Sequence, residues 1–307
     1  MAFTAADVKT LREMTGVGMM DCKKALTASD GDMDKAVEFL REKGLAASAK
    51  KAGRIAAEGM AYAAVIDGVG VVVEVNAETD FVGKNEKFVD FVKGVAATVA
   101  ANKPADLDAL MECKYVGTVL TVTQQQQEMV LVIGENIKVR RFARFAENVS
   151  VPYVHAGGKI GVLVNLESDL PAEKVEEIGK DVAMQIAALN PRFWDKSLVT
   201  EDVIAEEKKV LVAQMDNDPK MATKPQQVKE KIAAGKMAAF YKESCLLQQE
   251  FVRSDLYKGD VAGYIADAAK KLGGKITFVD AIRFEKGEGI EKKQENFAEE
   301  IAKMVKG

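Results

Sequence analysis

The sequence predicts an α+β fold in four parts: a three-helix N-terminal module, a core of two related α+β halves with antiparallel sheets, a helical hairpin inserted in the second half, and a C-terminal helical module. Three observations favour this architecture. A unit of two strands and a helix occurs twice, the second copy is longer by a helix-forming stretch, and amphipathic segments occupy both ends of the chain. We place the parts at 1–53, 54–147, 148–284 with the hairpin at about 195–244, and 285–307.

The first 44 residues have the apolar spacing of three short helices. Thr4 followed by Asp7 is typical of a capping box at a helix start. The Gly-Val-Gly run at 16–18 interrupts the first helix, and Gly44 is expected to end the third. The polar, alanine-rich segment after Gly44 is expected to be a linker that is in part helical.

The core repeats a pair of strands followed by an amphipathic helix. Residues 59–76 have the pattern of two strands joined by an Asp-Gly turn, and residues 149–169 repeat that pattern. The apolar positions of the following helices recur at an offset of 87 residues, as Phe91 and Ile178 show, whereas the closing strands recur at an offset of 139. The second copy is therefore 52 residues longer, and the extra length must lie between about Ala188 and Val261.

The insertion contains two helix-forming stretches, at 203–215 and 226–242, on either side of an Asn-Asp-Pro run and Pro225. This pattern predicts an antiparallel helical hairpin that projects from the body. Packing of the hairpin back on the fold is the alternative. The C-terminal segment, 289–307, has one apolar helical face that suits either a core contact or docking on a partner.

Composition is that of an ordinary globular protein, with 48% hydrophobic residues, 29% charged residues and a formal net charge of −4. Nucleic-acid binders usually present a strongly basic face, so we expect no direct nucleic-acid partner. No apolar run approaches the roughly 20 residues of a membrane span, and the start of the sequence lacks the features of a signal peptide. We therefore expect a cytoplasmic protein without a membrane partner, and its three widely separated cysteines to be reduced thiols.

The sequence offers little material for an active site. His155 is the single histidine, so a catalytic triad or a histidine-rich zinc site has one candidate at most. The phosphate-binding pattern G-x-x-x-x-G-K-[ST] does not occur. An enzyme would have to use His155 with a carboxylate such as Glu167 or Asp169, whereas an adaptor that binds proteins through its three-helix module needs no such group.

Two segments carry a specific resemblance to a known family. They are LREMTGVGMMDCKKAL at 11–26 and EVNAETDFVGKN at 74–85. Both resemble the signatures of elongation factor Ts, the bacterial and organellar exchange factor for elongation factor Tu. The similarity continues in GENI-x-x-RR at 134–141, in the segment that starts at His155, and in RFE-x-GEGIEK at 283–292.

The resemblance implies a guanine-nucleotide exchange factor that acts by binding, without covalent chemistry and without a cofactor. Its N-terminal module would be similar to ubiquitin-associated domains. The implied partner is elongation factor Tu, in its GDP-bound and nucleotide-free forms. A homodimer or a 2:2 complex with the partner is left open.

The resemblance also implies site residues. In the family, one loop displaces Mg²⁺ from the partner GTPase, and the matching residues here are Thr79, Asp80, Phe81 and Val82. Candidates for further partner contacts are Leu11, Met19, Met20, His155 and Phe297. The two methionines are neighbours at a helix start and cannot both face one core, so one of them is expected to be exposed.

The residues alone favour a plainer interpretation of the same loop. It joins a strand to a helix, so Thr79 or Asp80 could cap that helix, and Phe81 could pack against it as a staple. Ala77 and Gly83, beside the loop, depart from what the family often carries there. Gly83 is expected to loosen the backbone.

Overall fold

A computed structural model describes residues 3–291, and the first part of this range is a module of three helices. They are α1 Ala5–Thr15, α2 Met19–Ala28 and α3 Met33–Lys51. The predicted capping box is present, since the side chains of Thr4 and Asp7 each accept a hydrogen bond from the other residue's backbone N–H. The side chains that fill the space between the helices include Leu11, Cys22, Ala25, Leu26 and Ala36.

The expectation that the third helix ends at Gly44 is wrong. α3 continues to Lys51, so the first seven residues of the expected linker are helix and the remainder is not, which agrees with the expectation of a partly helical segment. Gly44 is buried against α6 (Val122–Ile133), where a β-carbon at Gly44 would stand 3.2 Å from the carbonyl oxygen of Gln127. Because Gly44 has no side chain, α3 and α6 can approach each other closely. The module is therefore docked directly on the core.

The first half of the core is an antiparallel sheet covered by helices. Its elements are β1 Glu58–Ile66, β2 Val69–Ala77, α4 Glu86–Asn102, α5 Leu107–Glu112, α6 Val122–Ile133 and β3 Lys138–Phe145, with the strands in the spatial order β1-β2-β3. Asp67 and Gly68 join β1 to β2 with positive φ angles of 51° and 79°, as a type I′ turn requires. The apolar face predicted for α4, which includes Phe88 and Phe91, is buried against the sheet.

The second half repeats this arrangement with the strands in the order β4-β5-β6. Its elements are β4 Val149–His155, β5 Ile160–Ser168, α7 Ala172–Leu189, α8 Glu201–Asp216, α9 Gln226–Ser244, α10 Val261–Leu272 and β6 Ile276–Glu285. Both central strands have a β-bulge at the equivalent place, after Glu74 in β2 and after Asn165 in β5. The repeat predicted from sequence offsets thus extends to the irregularities of the backbone.

The two sheets pack face to face around a cluster that includes Ala61, Leu163 and Phe284, and they approach most closely at small residues. At Gly161 in β5 a β-carbon would stand 3.1 Å from the carbonyl carbon of Ala61 in β1. The Ala61 N–H donates to the Gly158 carbonyl oxygen at 2.8 Å. Because the contact is this close, the two halves form one packed core between the sheets.

The insertion is the predicted helical hairpin, formed by α8 and α9. At its tip, the buried ammonium group of Lys229 contacts the Asp216 carboxylate at 2.5 Å. At its base, the Leu246 N–H donates to the Phe193 carbonyl oxygen at 2.9 Å, and apolar side chains of both helices pack around Phe240. The hairpin is therefore fixed to the core by its base.

Among the helices of residues 3–291, none has the length and apolar character needed to cross a membrane.

Candidate functional site

The loop at 78–85 connects β2 to α4, and its capping residue is Asn85. The Asn85 side-chain oxygen accepts hydrogen bonds from the N–H groups of Lys87 and Phe88, at 3.0 and 3.4 Å. Thr79 and Asp80 therefore do not cap α4, and that plainer interpretation of the loop is wrong.

The four signature residues divide into three that are exposed and one that is buried. Thr79 and Asp80 are exposed, and 82% of Phe81 is accessible to solvent. Val82 is buried in the core of the first half, at 6% exposure, and begins a short 3₁₀ turn, Val82–Lys84. Phe81 is thus no staple on α4. Val82 anchors the loop from below and does not present its side chain to a partner.

Glu135 holds the base of the loop. Its carboxylate accepts hydrogen bonds from the backbone N–H groups of Glu78 and Thr79, each at 3.0 Å, and from the Thr79 hydroxyl at 2.6 Å. In return, the Glu78 carboxylate accepts the Asn136 N–H at 2.6 Å. The sequence analysis did not assign a role to Glu135, although it belongs to the Gly-Glu-Asn-Ile run quoted for the resemblance.

Asp80 is left facing solvent by this arrangement. Across residues 3–291, no hydrogen bond or ion pair engages its side chain. The next residue along the chain is the exposed Phe81. The loop therefore presents one charged acceptor and one large apolar group side by side.

Gly83 is a site of tight packing, contrary to the expectation that it loosens the loop. It is buried in the 3₁₀ turn, where a β-carbon would stand 2.7 Å from the carbonyl oxygen of Gly59. A larger residue at 83 would push the turn away from β1. Gly83 thus fixes the depth at which the loop sits on the sheet.

The N-terminal module carries two exposed methionines, and the turn that precedes them contacts the core. Met19 and Met20, at the start of α2, are both exposed, at 53% and 65%, where the sequence analysis expected one. Lys87, in the first turn of α4, donates from its ammonium group to the Gly16 carbonyl oxygen at 3.2 Å. This contact joins the turn before α2 to the helix that follows the loop. Leu11 is fully buried in the module core and offers a partner no accessible side chain.

The sequence around this loop matches a known family. A family model described as "Elongation factor TS" matches residues 78–288, which is more than half of the chain. The chain belongs to the elongation factor Ts family. The matched stretch begins at Glu78, the first residue of the loop, whose backbone N–H is bonded to Glu135, and ends at Glu288.

Curated relatives named "Elongation factor Ts" are similar over almost their whole length. One from Clostridium novyi (strain NT) is 44% identical over 307 residues, with 98% of each chain covered. One from Clostridium kluyveri is 45% identical over 310 residues, and one from Clostridioides difficile (strain 630) is 47% identical over 308, with 99% of each chain covered in both cases. Membership of this family gives the chain a role in translation elongation.

The remaining candidate contacts of this elongation factor Ts family member are dispersed. His155 is exposed at the end of β4, where its Nδ1 lies 3.0 Å from the Tyr153 hydroxyl. It is opposite Ile160 in the β4–β5 pairing. Glu167 lies seven positions further along β5, which corresponds to about 20 Å of extended strand. His155 therefore forms no catalytic pair with Glu167, or with Asp169 beyond it. Phe297 lies outside the described residues.

A buried carboxylate anchors the segment that leads to the C-terminal part of this family member. Glu74 in β2 is fully buried and accepts hydrogen bonds from Asn76, Arg140, Arg141 and the Gly287 N–H. Burial raises the pKa of the Glu74 carboxyl, but these four donors outweigh it and hold the pKa below its ordinary value. The chain at Gly287 is thereby fixed to the first half of the core. Glu74 and Gly287 are separated by 213 positions, and no local sequence pattern indicates this contact.

Proposed function

We propose that this chain is a guanine-nucleotide exchange factor that binds GDP-bound elongation factor Tu, dislodges its Mg²⁺ and promotes release of GDP so that GTP can bind. The observation that carries the proposal is the 82% exposure of Phe81 beside Asp80. Asn85 caps the following helix and Val82 fills the core, so the structural needs of the loop are met by other residues. Contact with a partner would explain why the large apolar side chain of Phe81 is exposed to solvent beside Asp80.

The chemistry of the GTPase site explains why such a loop would release nucleotide. A GTPase holds the phosphates of GDP through a phosphate-binding loop and a Mg²⁺ ion. Mg²⁺ demands near-ideal octahedral geometry, so a small shift of one element that bears a ligand removes much of its contribution. The Phe81 ring would supply the apolar anchor for that shift, and the Asp80 carboxylate would supply charge and hydrogen-bond acceptors.

No covalent step is required for this activity. If binding of the factor weakens binding of GDP, then GDP must weaken binding of the factor by the same ratio. GTP can afterwards occupy the empty site and expel the factor. The factor would act in the cytoplasm and would bind both the GDP-bound and the nucleotide-free form of its partner.

Exposed methionines suit a second contact with the same partner. Methionine side chains are flexible and polarizable, so they adapt to irregular apolar surfaces. Met19 and Met20 stand at the start of α2, and the turn before them is bonded to Lys87 in α4. The module and the loop would therefore act as one rigid body on the GTPase.

Release of labelled GDP from elongation factor Tu, with and without this protein, tests the proposal. We expect the protein to accelerate release and Phe81→Ala to remove most of the acceleration. Val119→Ala serves as a matched control, because Val119 is also an exposed apolar residue on a loop, at 81% exposure. Equal release with and without the wild-type protein would overturn the proposal. A Val119→Ala variant as impaired as Phe81→Ala would show that the loss is not specific to the loop.

A further inference from the structure

The loops that follow β2 and β5 occupy equivalent places in the two halves, but they differ in length. The first, residues 78–85, is irregular apart from one 3₁₀ turn and carries Phe81. The second, residues 169–171, passes directly into α7. The candidate site thus coincides with the longer of the two equivalent loops.

Both loops are tied to the segment that precedes the closing strand of their sheet. In the second half, the Asp169 carboxylate accepts the Lys275 N–H at 2.6 Å, and the Ser168 hydroxyl donates to the Lys275 carbonyl oxygen at 2.7 Å. In the first half, the carboxylate comes from the facing segment: Glu135 binds the loop at Glu78 and Thr79. The tie itself is a property of the repeat, but only in the first half does it hold a long loop.

The three hydrogen bonds to Glu135 end immediately before Asp80. They are charge-assisted, which makes them stronger than bonds between neutral groups. They fix two consecutive peptide groups and one side chain, so the direction in which the loop leaves the sheet is set before a partner arrives. A loop that is ordered in advance loses less conformational entropy in the step in which it enters the GTPase site, so that step is faster while the other contacts of the factor supply its affinity.

We infer that Glu135 is a positioning residue for nucleotide exchange: it holds the start of the loop so that Asp80 and Phe81 meet the GTPase in the orientation that displaces Mg²⁺. This inference rests on the proposed function. Glu135 itself makes no contact with the nucleotide or the metal. Its effect should therefore appear in the maximal rate of GDP release more than in the concentration of factor needed for half of that rate.

Three variants separate positioning from general stability. Glu135→Ala removes all three contacts. Glu135→Gln preserves them, because the amide oxygen can accept the two backbone N–H groups and the amide nitrogen can donate to the Thr79 hydroxyl oxygen. Asp169→Ala removes the carboxylate contact of the equivalent tie in the second half and leaves the Ser168 hydrogen bond in place; the loop there carries no exposed phenylalanine.

Two measurements are made on each variant. In the free protein, we expect amide hydrogen exchange at residues 78–84 to accelerate about tenfold in Glu135→Ala, since hydrogen bonds to a charged acceptor are lost. In the assay with elongation factor Tu, we expect the maximal rate of GDP release promoted by Glu135→Ala to be about tenfold lower than that promoted by the wild type. The concentration of factor needed for half of the maximal rate should stay near that of the wild type. Glu135→Gln keeps the bonds without the charge, so it should recover most of both values, and Asp169→Ala should leave GDP release unchanged.

The outcomes distinguish this inference from the proposed function. Unchanged amide exchange at 78–84 in Glu135→Ala, or unchanged GDP release by that variant, would overturn the positioning role while the wild type still promotes release. A wild-type protein without effect on GDP release would overturn both. If Glu135→Ala does not fold, Glu135→Asp keeps the charge, shortens the reach by one methylene, and carries the same expectations.

Discussion

Asp80 and Phe81 face solvent because their neighbours satisfy the structural needs of the loop. Asn85 provides the helix cap, Val82 fills the core, and Glu135 bonds the backbone at the base. Sequence alone could not assign these tasks, since Thr, Asp and Asn are all good capping residues. At the scale of the residue, the separation of tasks means that changes at 80 and 81 should affect activity without unfolding the protein.

We expect Asp80→Ala and Phe81→Ala to keep near-native melting temperatures and to lose GDP-release activity. Couplings between two binding sites are typically about 1–3 kcal/mol, so each variant should be slower by several-fold to about a hundredfold. The deficit should shrink when Mg²⁺ is chelated, because an absent metal cannot be displaced, and it should shrink more for Asp80→Ala than for Phe81→Ala. Release of labelled GDP in millimolar Mg²⁺ and in chelator measures this. Stable variants with wild-type release in millimolar Mg²⁺ would falsify the role of the loop.

The contact between α3 and α6 decides how the N-terminal module sits on the core. Gly44 lets the two helices meet, and Arg41 of α3 lies 3.5 Å from the carboxylate of Glu128 in α6. Burial raises the pKa of the Glu128 carboxyl, and the adjacent Arg41 opposes that shift. At the scale of the element, the module is therefore an integral layer of the fold and not a tethered appendage.

A large side chain at 44 should force α3 away from α6. We expect Gly44→Leu to lower the free energy of unfolding by about 1–3 kcal/mol, the usual cost of overpacking. Gly235→Leu is the matched control, because Gly235 is also within a helix but has open space where its β-carbon would be. The control should be stabilised slightly by the better helix propensity of leucine. Urea unfolding of both variants tests this, and equal stabilities would contradict the close contact.

The tip of the helical hairpin should be removable without loss of the fold. The base of the hairpin is held by the cluster around Phe240 and by backbone bonds at Phe193, so an excision should spare it. We expect replacement of residues 212–232 by a short Gly-Ser linker to leave a folded protein with reduced but measurable GDP release. Circular dichroism and thermal melting would report the fold. An aggregated product would show that the tip belongs to the core.

At the scale of the whole molecule, Glu74 joins the two halves. It lies in the first sheet, and its carboxylate binds the Gly287 N–H, which follows the last strand of the second sheet. Asn165, at the same bulge of the second sheet, donates to the Glu147 carbonyl oxygen in the segment after the first sheet, at 3.3 Å. Each sheet therefore holds the chain that leaves the other.

Glu74→Gln should destabilise the whole core in a manner that depends on pH. Removal of the carboxylate deprives the partly buried Arg140 and Arg141 of the acceptor they share, and Arg141 keeps its ion pair with Glu288 at 3.0 Å. This loss should cost about 3 kcal/mol of unfolding free energy at pH 7. The pKa of Glu74 is lowered in the folded state, so its stabilising contribution is complete above the ordinary carboxyl pKa of 4.5 and is lost as the pH falls through the folded-state value. Urea unfolding from pH 7 to pH 3 should show the two proteins converging at low pH. A constant difference across this range would contradict the assignment.

The sequence predicted the parts of the fold that depend on local patterns. The capping box at Thr4, the Asp-Gly turn, the repeated halves and the helical hairpin all follow from residues close together in the chain. Most errors occurred where the partner is distant in the chain: Gly44 packs against Gln127, and Gly83 packs against Gly59. Glu135 likewise supports a loop more than 50 positions away. The cap of α4 is a local exception, since several residues of the loop are suitable caps. Distant contacts leave no periodic signal, so the resemblance pointed to the loop but not to the residues that support it.

The hydrogen bond between Glu74 and Gly287 also limits how early the core can be completed while the chain is being synthesised. The two residues are separated by 213 positions, so at 5–20 residues per second the donor is made roughly 10 to 40 s after the acceptor. During that interval three of the four donors to the Glu74 carboxylate have been made, and the Gly287 N–H is still missing. Completion of the core must then await the last strand. The newly made chain should consequently stay susceptible to proteases until its final segment leaves the ribosome.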